Sequence, residues 1–313
     1  MVAYVAMRVT VGICTWNRAA LLREALGSMT QLAIPSGVEW EVLVINNNST
    51  DHTDSVVQEF QGRLPIRCMF EPNAGLSNAR NRCVDEAGGE YVLWTDDDVI
   101  VDPAWLQEYV RAFRDMPQAA FFGGPIRPRF EGNPPRWLMA GWAQVDDAYA
   151  IRDLGNTAMR LSRDLPYGAN YAVRLAEQRT HRYNPRLGRR AGELIGGEEL
   201  AVMAAILREG GEGWWLPSAC VRHWIPVERQ TTTYLKRYYR HQGRASTLQR
   251  PGAEVRPNRE AFGRPLWLWR QAFERELAYW RDRALGRPER WVGSLVNASR
   301  TWGVLLSWTG TPT

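Results

Sequence analysis

The sequence predicts an α/β fold built on a mostly parallel central sheet flanked by helices. Two observations carry that expectation. Over the first 125 of 313 residues, short apolar runs alternate with segments of helical spacing, as in chains of strand–helix–strand units. The polar clusters of the same stretch fall just after the expected strands. In parallel sheets ligands gather at those carboxyl ends.

The elements follow in order. RVTVGICT (8–15) is an apolar run bounded by polar residues, a strand. After Asn17, Leu21, Leu22, Ala25, Leu26 and Met29 recur at helical spacing. EWEVLVINN (39–47) is a second strand, and Thr50 or Asp51 can cap a helix over 52–60. PIRCMFE (65–71), the helix LSNARNRCVDEA (76–87) and the strand EYVLWT (90–95) come next. Pro103 then opens a helix running to Phe113, a favoured position for proline. QAAFFGG (118–124) is a fifth strand.

Beyond residue 125 the pattern loosens. Residues 125–167 read as irregular strands and loops rich in Pro, Gly and Trp. YGANYAVR (167–174) reads as a turn and a strand, and EELAVMAAILREG (198–210) as a helix ended by glycines. WWLPSACVRHW (214–224) reads as a strand pair, TTYLKRYYRHQGRAS (232–246) as a basic aromatic helix, and 258–308 as helical. The expected organisation is a strand–helix half over 1–125, a looser second half over 126–250, and a helical Trp/Arg-rich extension over 251–313.

Composition is that of a globular protein, 45% hydrophobic and 23% charged, with net charge +5. The basic residues are arginines apart from Lys236. A GC-rich genome accounts for that, and Arg forks also suit phosphates or anionic lipid. Four cysteines without CxxC spacing suggest neither a zinc site nor a disulfide framework. No secretory leader is read at the start. No stretch reaches the roughly 18 uninterrupted apolar residues of a membrane span. The nearest, 291–310, is interrupted by Asn297 and Arg300. The expectation is a cytoplasmic chain, peripheral at most to the inner face of the plasma membrane, with no nucleic-acid partner.

Asp96, Asp97 and Asp98 end the fourth strand side by side. Like charges so close repel, and burial raises the cost. Two readings stand on spacing alone: a solvated turn, or carboxylates gathered on Mg²⁺ or Mn²⁺, which take carboxylate oxygen and complete their shell from substrate phosphates.

Six segments bear further on this: CTWNR (14–18), VINNNSTD (44–51), NAGLSNARN (73–81), LWTDDDV (93–99), GGEEL (196–200) and VRH (221–223). In order and spacing they resemble the family 2 glycosyltransferases of GT-A fold, over roughly 8–250. The resemblance implies an inverting, metal-dependent enzyme moving a sugar from a nucleotide-sugar, UDP foremost, to a hydroxyl of a saccharide or lipid-linked acceptor in bacterial polysaccharide or glycolipid assembly. Thr15 and Asn17 would line the base and ribose pocket. Asn46 and Asn47 would stand where the base is read, and Arg80 would approach the base or diphosphate. Asp98 would hold Mn²⁺ or Mg²⁺, with Asp96 beside it and His223 as a further ligand. Asp96 or Asp97 would hold the ribose. Glu199, with Glu198 close behind, would be the general base, and Asn170 with Gly168 would sit under the acceptor. The NPRLGRR run (184–190) would be the mobile loop before the base. Bland rivals exist: Thr15 and Asn17 as helix caps, Asn170 as a turn residue, Glu198 and Glu199 as ordinary first-turn acids.

Competing functions are weaker. A haloacid dehalogenase-type phosphatase needs its Asp pair after the first strand and a lysine near the phosphate. A dehydrogenase needs GxGxxG there. A non-catalytic sugar or nucleotide binder would lack the acidic pair. For the tail, Trp among Arg suits either a membrane interface or packing on the chain itself or on a second subunit; internal packing is slightly favoured.

Overall fold

The computed structural model describes residues 7–188, 197–248 and 259–308. The chain forms two compact units, Met1–Arg129 with Ala150–Trp224, and Phe130–Tyr149 with Ile225–Thr313. They cut across the segments 1–125, 126–250 and 251–313, because the chain leaves the first unit after residue 129 and returns to it at 150.

The first unit runs β1 (Met7–Thr15), α1 (Ala19–Met29), β2 (Val38–Asn46), α2 (Thr53–Glu59), β3 (Ile66–Phe70), α3 (Leu76–Glu86), β4 (Tyr91–Asp96), β5 (Val99–Val101), α4 (Trp105–Asp115), β6 (Phe121–Gly123) and β7 (Ile126–Phe130). After α5 (Arg136–Ala140) in the second unit come β8 (Met159–Leu161), β9 (Tyr171–Arg174), α6 (Leu175–Thr180), α7 (Glu198–Arg208), β10 (Gly213–Trp215) and β11 (Val221–Ile225). One eight-stranded sheet has the order β3-β2-β1-β4-β9-β6-β10-β8, and β5-β11-β7 form a smaller one. β1 runs parallel to both β2 and β4, while β9 is antiparallel to β4 and β6.

Strand alternation sends side chains to opposite faces of the sheet. Val9, Val11, Ile13, Val42, Val44, Tyr91 and Leu93 pack with α1, α2 and α4. Leu43, Ile45, Val92 and Trp94 pack with Ala79 and Cys83 of α3 and Met203 and Ile206 of α7. Helices therefore cover both faces, as the alternation of periods predicts.

Two expectations are corrected. Pro103 precedes α4 instead of opening it: the Trp105 amide bonds back to Asp102 O in a turn. The pair expected over 214–224 is no hairpin, since β10 lies parallel to β6 and β11 pairs with β5.

The second unit continues with α8 (Thr232–Leu248), the hairpin strands β12 (Glu260–Ala261) and β13 (Arg264–Pro265), α9 (Leu266–Ala284) and α10 (Pro288–Ser307). α8 and α10 cross with their backbones almost touching. A Cβ at Gly243 would strike the carbonyl of Arg300, and one at Gly303 that of Arg240, so only glycine fits there. Trp291 is buried against Trp137 and Tyr279, while Trp267 and Trp280 stay exposed. Among the described residues no helix is long and apolar enough to cross a membrane.

Candidate active site

Parallel pairing brings the ends of three strands to one edge. Thr15 pairs with Asn46, and Cys14 with Asp96. Asp97 and Asp98 therefore emerge beside the residues that follow β1. The Thr15 hydroxyl donates to Asp97 Oδ2 at 2.7 Å. Arg18 Nη1 donates to Asp97 Oδ1 and to Asp98 Oδ2, both at 2.9 Å. Register between β5 and β11 places His223 opposite Val99, and its Nε2 lies 3.4 Å from Asp98 Oδ1.

Arg18 thus supplies the positive charge that the adjoining acids require. The sequence offered it as the R of CTWNR, with no role attached. Burial opposes its charge, but Asp97 and Asp98 outweigh that and hold the guanidinium ionised. Asp97 is pushed up to about 7: burial raises it, Arg18 opposes, and the charge of Asp98 raises it again.

A second buried cation lies alongside. Arg80 is only 3% exposed, ringed by Trp94, Tyr171 and Tyr183 with its charge centre 5.5–5.8 Å from each ring. Its Nη1 donates to Glu198 Oε1 at 2.7 Å and lies 3.8 Å from Glu199 Oε2, and its Nη2 lies 3.8 Å from Asp96 Oδ1. One guanidinium therefore links the acid that ends β4 to the acidic pair that opens α7. Arg80 is thus engaged with carboxylates inside the protein.

The two glutamates differ. Glu198 is buried on Arg80, and among the described residues its Oε2 has no partner. Glu199 accepts the Gly168 N–H on Oε1 at 3.1 Å. Burial and the neighbouring charge of Glu198 raise the Glu199 carboxyl above its ordinary value, with Arg80 opposing. A Cβ at Gly168 would lie 2.7 Å from Arg80 Nη2 and 3.3 Å from Glu199 Oε1, so a glycine lets the backbone reach the acid. Gly196 and the loop arginines Arg189 and Arg190 lie outside the described residues.

Other expected residues have structural duties. Asn170 is fully buried. Its Oδ1 accepts from Trp105 Nε1 (2.8 Å) and the Tyr109 hydroxyl (2.9 Å), and its Nδ2 donates to Pro125 O (2.9 Å) and Ala219 O (2.7 Å). With its hydrogen-bonding capacity used inside the core, it cannot meet an acceptor, which corrects that assignment. Asn47 donates to Glu71 O and Asn73 O and accepts the Gly75 amide, pinning the 71–75 loop. Asn46 donates to Asp54 and accepts the Ser49 amide. Both amides are engaged in hydrogen bonds within the protein. Asp97 is likewise buried and bonded, while Asp96 is the more exposed of the two. Asn17, at φ 53, accepts the Thr50 amide instead of capping α1. That helix start is served by Asp51, which accepts from the amides of both Ala19 and Thr53.

Among the described residues no three His, Cys, Asp or Glu side chains enclose a metal ion. The donor set still fits a small divalent cation. Asp98 and His223 offer a carboxylate oxygen and an imidazole nitrogen side by side. Among the described residues His223 Nδ1 is buried without a hydrogen-bond partner. Five carboxylates face two guanidinium groups, leaving excess negative charge. Mg²⁺ and Mn²⁺ need few protein ligands when phosphates complete the shell.

The sequence profile described as glycosyl transferase family 2 matches residues 10–173. The succinoglycan biosynthesis protein ExoM of Rhizobium meliloti (strain 1021) is 26% identical over 247 residues, 75% of this chain and 72% of that protein. The chain spans only about a quarter of the length of several further curated relatives. Mannosyltransferase PcManGT from Pyrobaculum calidifontis, in complex with GDP-Man and Mn²⁺, superposes with TM-score 0.61 at 20% identity, covering 95% of this chain and 87% of that one. S. aureus TarS 1-349 in complex with UDP-GlcNAc gives 0.53 at 16% identity, covering 95% and 90%.

Proposed function

This chain belongs to glycosyl transferase family 2, and we propose that it is an inverting, metal-dependent transferase. It would move a hexose from a nucleotide-sugar, UDP foremost, to a hydroxyl of a saccharide or lipid-linked acceptor in polysaccharide or glycolipid assembly. One observation carries the proposal: Arg80 lies 3.8 Å from both Asp96 at the donor end and Glu199 at the base end. Donor acids and base thus form one charge cluster, which a two-substrate displacement needs. The curated relative in succinoglycan biosynthesis supports the polysaccharide setting. The UDP-GlcNAc and GDP-Man complexes among the structural neighbours support a nucleotide-sugar donor.

The chain's residues divide the work. Asp98 and His223, with Asp96 beside them, would hold Mn²⁺ or Mg²⁺. When bound, that ion supplies positive charge for the departing diphosphate. Arg18 and Thr15 keep Asp97 and Asp98 in position. Glu199 takes the acceptor's hydroxyl proton as the oxygen attacks the anomeric carbon. The bond from that carbon to the phosphate oxygen breaks, and its electron pair leaves with the nucleoside diphosphate. Configuration inverts in one displacement, without a covalent sugar–enzyme intermediate. The Gly168 N–H holds the carboxylate for this, and its raised proton affinity suits a general base. Glu198 is locked on Arg80 and positions it.

A thermal-shift panel of nucleoside diphosphates with and without Mn²⁺ tests the proposal. UDP should stabilise the protein in a metal-dependent way, and Asp98→Ala should abolish the effect. A panel without any metal-dependent hit would overturn it.

A further inference from the structure

We propose that the second unit carries a binding site for the phosphate of an acidic phospholipid and rests on a membrane surface through it. The inference is independent of the donor site. α8 and α10 bound a cavity of about 540 Å³ lined by Lys236, Arg237, Arg240, His241 and Arg244 from α8 and by Leu306 from α10. Among the described residues no carboxylate lines it. Among the described residues, Lys236, Arg237, Arg240 and His241 form no ion pair with an acid. Unneutralised cations around a concave space attract an anion with several acceptor oxygens, and a phosphate has that chemistry.

The surroundings specify the source of the phosphate. Lys236 Nζ lies 4.5 Å from the Tyr279 ring centre and 5.3 Å from that of Trp280, which joins the cavity to α9. There Leu266, Phe273, Leu277 and Trp280 are all exposed, Leu277 by 71%. At 100° per residue these four fall within about 60° of one another, a single apolar stripe on the outer face of the helix. Leu306 on the cavity lining is exposed as well. The β12–β13 turn presents Phe262 to solvent at 88% exposure, with φ 53. A bulky residue is disfavoured in that left-handed region, and among the described residues Phe262 meets one ring, Trp269, edge-on.

Basic groups beside exposed Trp, Phe and Leu match a bilayer interface, where cations meet headgroup phosphate and the rings sit at its depth. A soluble phosphate would have no use for Phe262 or the α9 stripe. A second copy docked on the same face would set the cations of α8 against themselves, and juxtaposed like charges repel.

The test is co-sedimentation of the full chain with vesicles of phosphatidylcholine, alone or with about 30% phosphatidylglycerol. Binding should require phosphatidylglycerol and fall with added salt. The pair Arg237→Ala with Arg240→Ala, on exposed positions of α8, should weaken it about 30-fold, near 1 kcal/mol per basic residue. Phe262→Ser, at a solvent-exposed turn, should weaken it with the thermal melt unchanged. Equal binding to both vesicle types, or binding unaffected by the arginine pair, would overturn the proposal. So would saturation of the cavity by inorganic pyrophosphate with no vesicle binding. A concentration-dependent dimer broken by Leu277→Ser would identify a second copy as the occupant and also overturn it.

Discussion

Replacing Arg80 with methionine tests the charge cluster directly. Methionine keeps the length of the apolar stem and removes the guanidinium. Arg80 and Glu198 are each 3% exposed and bonded at 2.7 Å. Among the described residues Glu198 Oε2 already lacks a partner, so the variant leaves a buried carboxylate with no compensation, next to Glu199 and Asp96. Breaking a buried pair from one side costs about 3–5 kcal/mol. The loss should depend on pH. Arg80 lowers the proton affinity of Glu199, so its removal raises that carboxyl further above the ordinary 4.5. A carboxyl whose folded pKa exceeds its unfolded one stabilises the fold at low pH, and the contribution is lost as pH rises through the folded value. Urea unfolding of both proteins at a series of pH values should therefore show the deficit largest near pH 8 and shrinking as pH falls toward 5. A deficit under about 1 kcal/mol, or one flat in pH, would refute the assignment of Arg80 as the buried counter-charge.

The other predictions concern the base and its supports. Glu199→Gln should leave metal-dependent UDP binding intact and cut transfer by about 10² or more; unchanged turnover removes Glu199 from the mechanism. In the wild type the acidic limb of kcat/KM should lie above the ordinary glutamate value of 4.5, with activity rising as Glu199 deprotonates, and a pH–rate profile from 4 to 9 reads it. Gly168→Ala should depress kcat more than donor KM, because its Cβ would press on Arg80 and Glu199. Asn170→Ala should cost about 3 kcal/mol or more by stranding Trp105 Nε1, the Tyr109 hydroxyl and Ala219 O, with the acceptor KM of the folded enzyme unchanged; a shifted acceptor KM would place the residue back at the substrate.

Much of the first 125 residues was legible because its signals are local. β1 to β4 are short apolar runs and the helices between them have period-3.6 spacing, and parallel pairing of such units leaves their polar ends on one edge. The site was less legible residue by residue. Asp96, Asp97 and Asp98 look equivalent in sequence, yet the fold bonds Asp97 to Thr15 and Arg18, turns Asp98 to His223 and leaves Asp96 half-exposed. Asn170 looks like a turn residue and is a core joint, because Trp105, Tyr109, Pro125 and Ala219 meet it from distant parts of the chain.

The sequence by itself determined the alternation of elements, the family and the gathering of acids at strand ends, since each depends on neighbours along the chain. Only the tertiary structure decided which charge answers which. Arg18 reaches across 79 and 80 positions to Asp97 and Asp98, and Arg80 across 118 to Glu198. Burial fixes those pairings, because removing an ion from water is tolerable only where a partner is already in place.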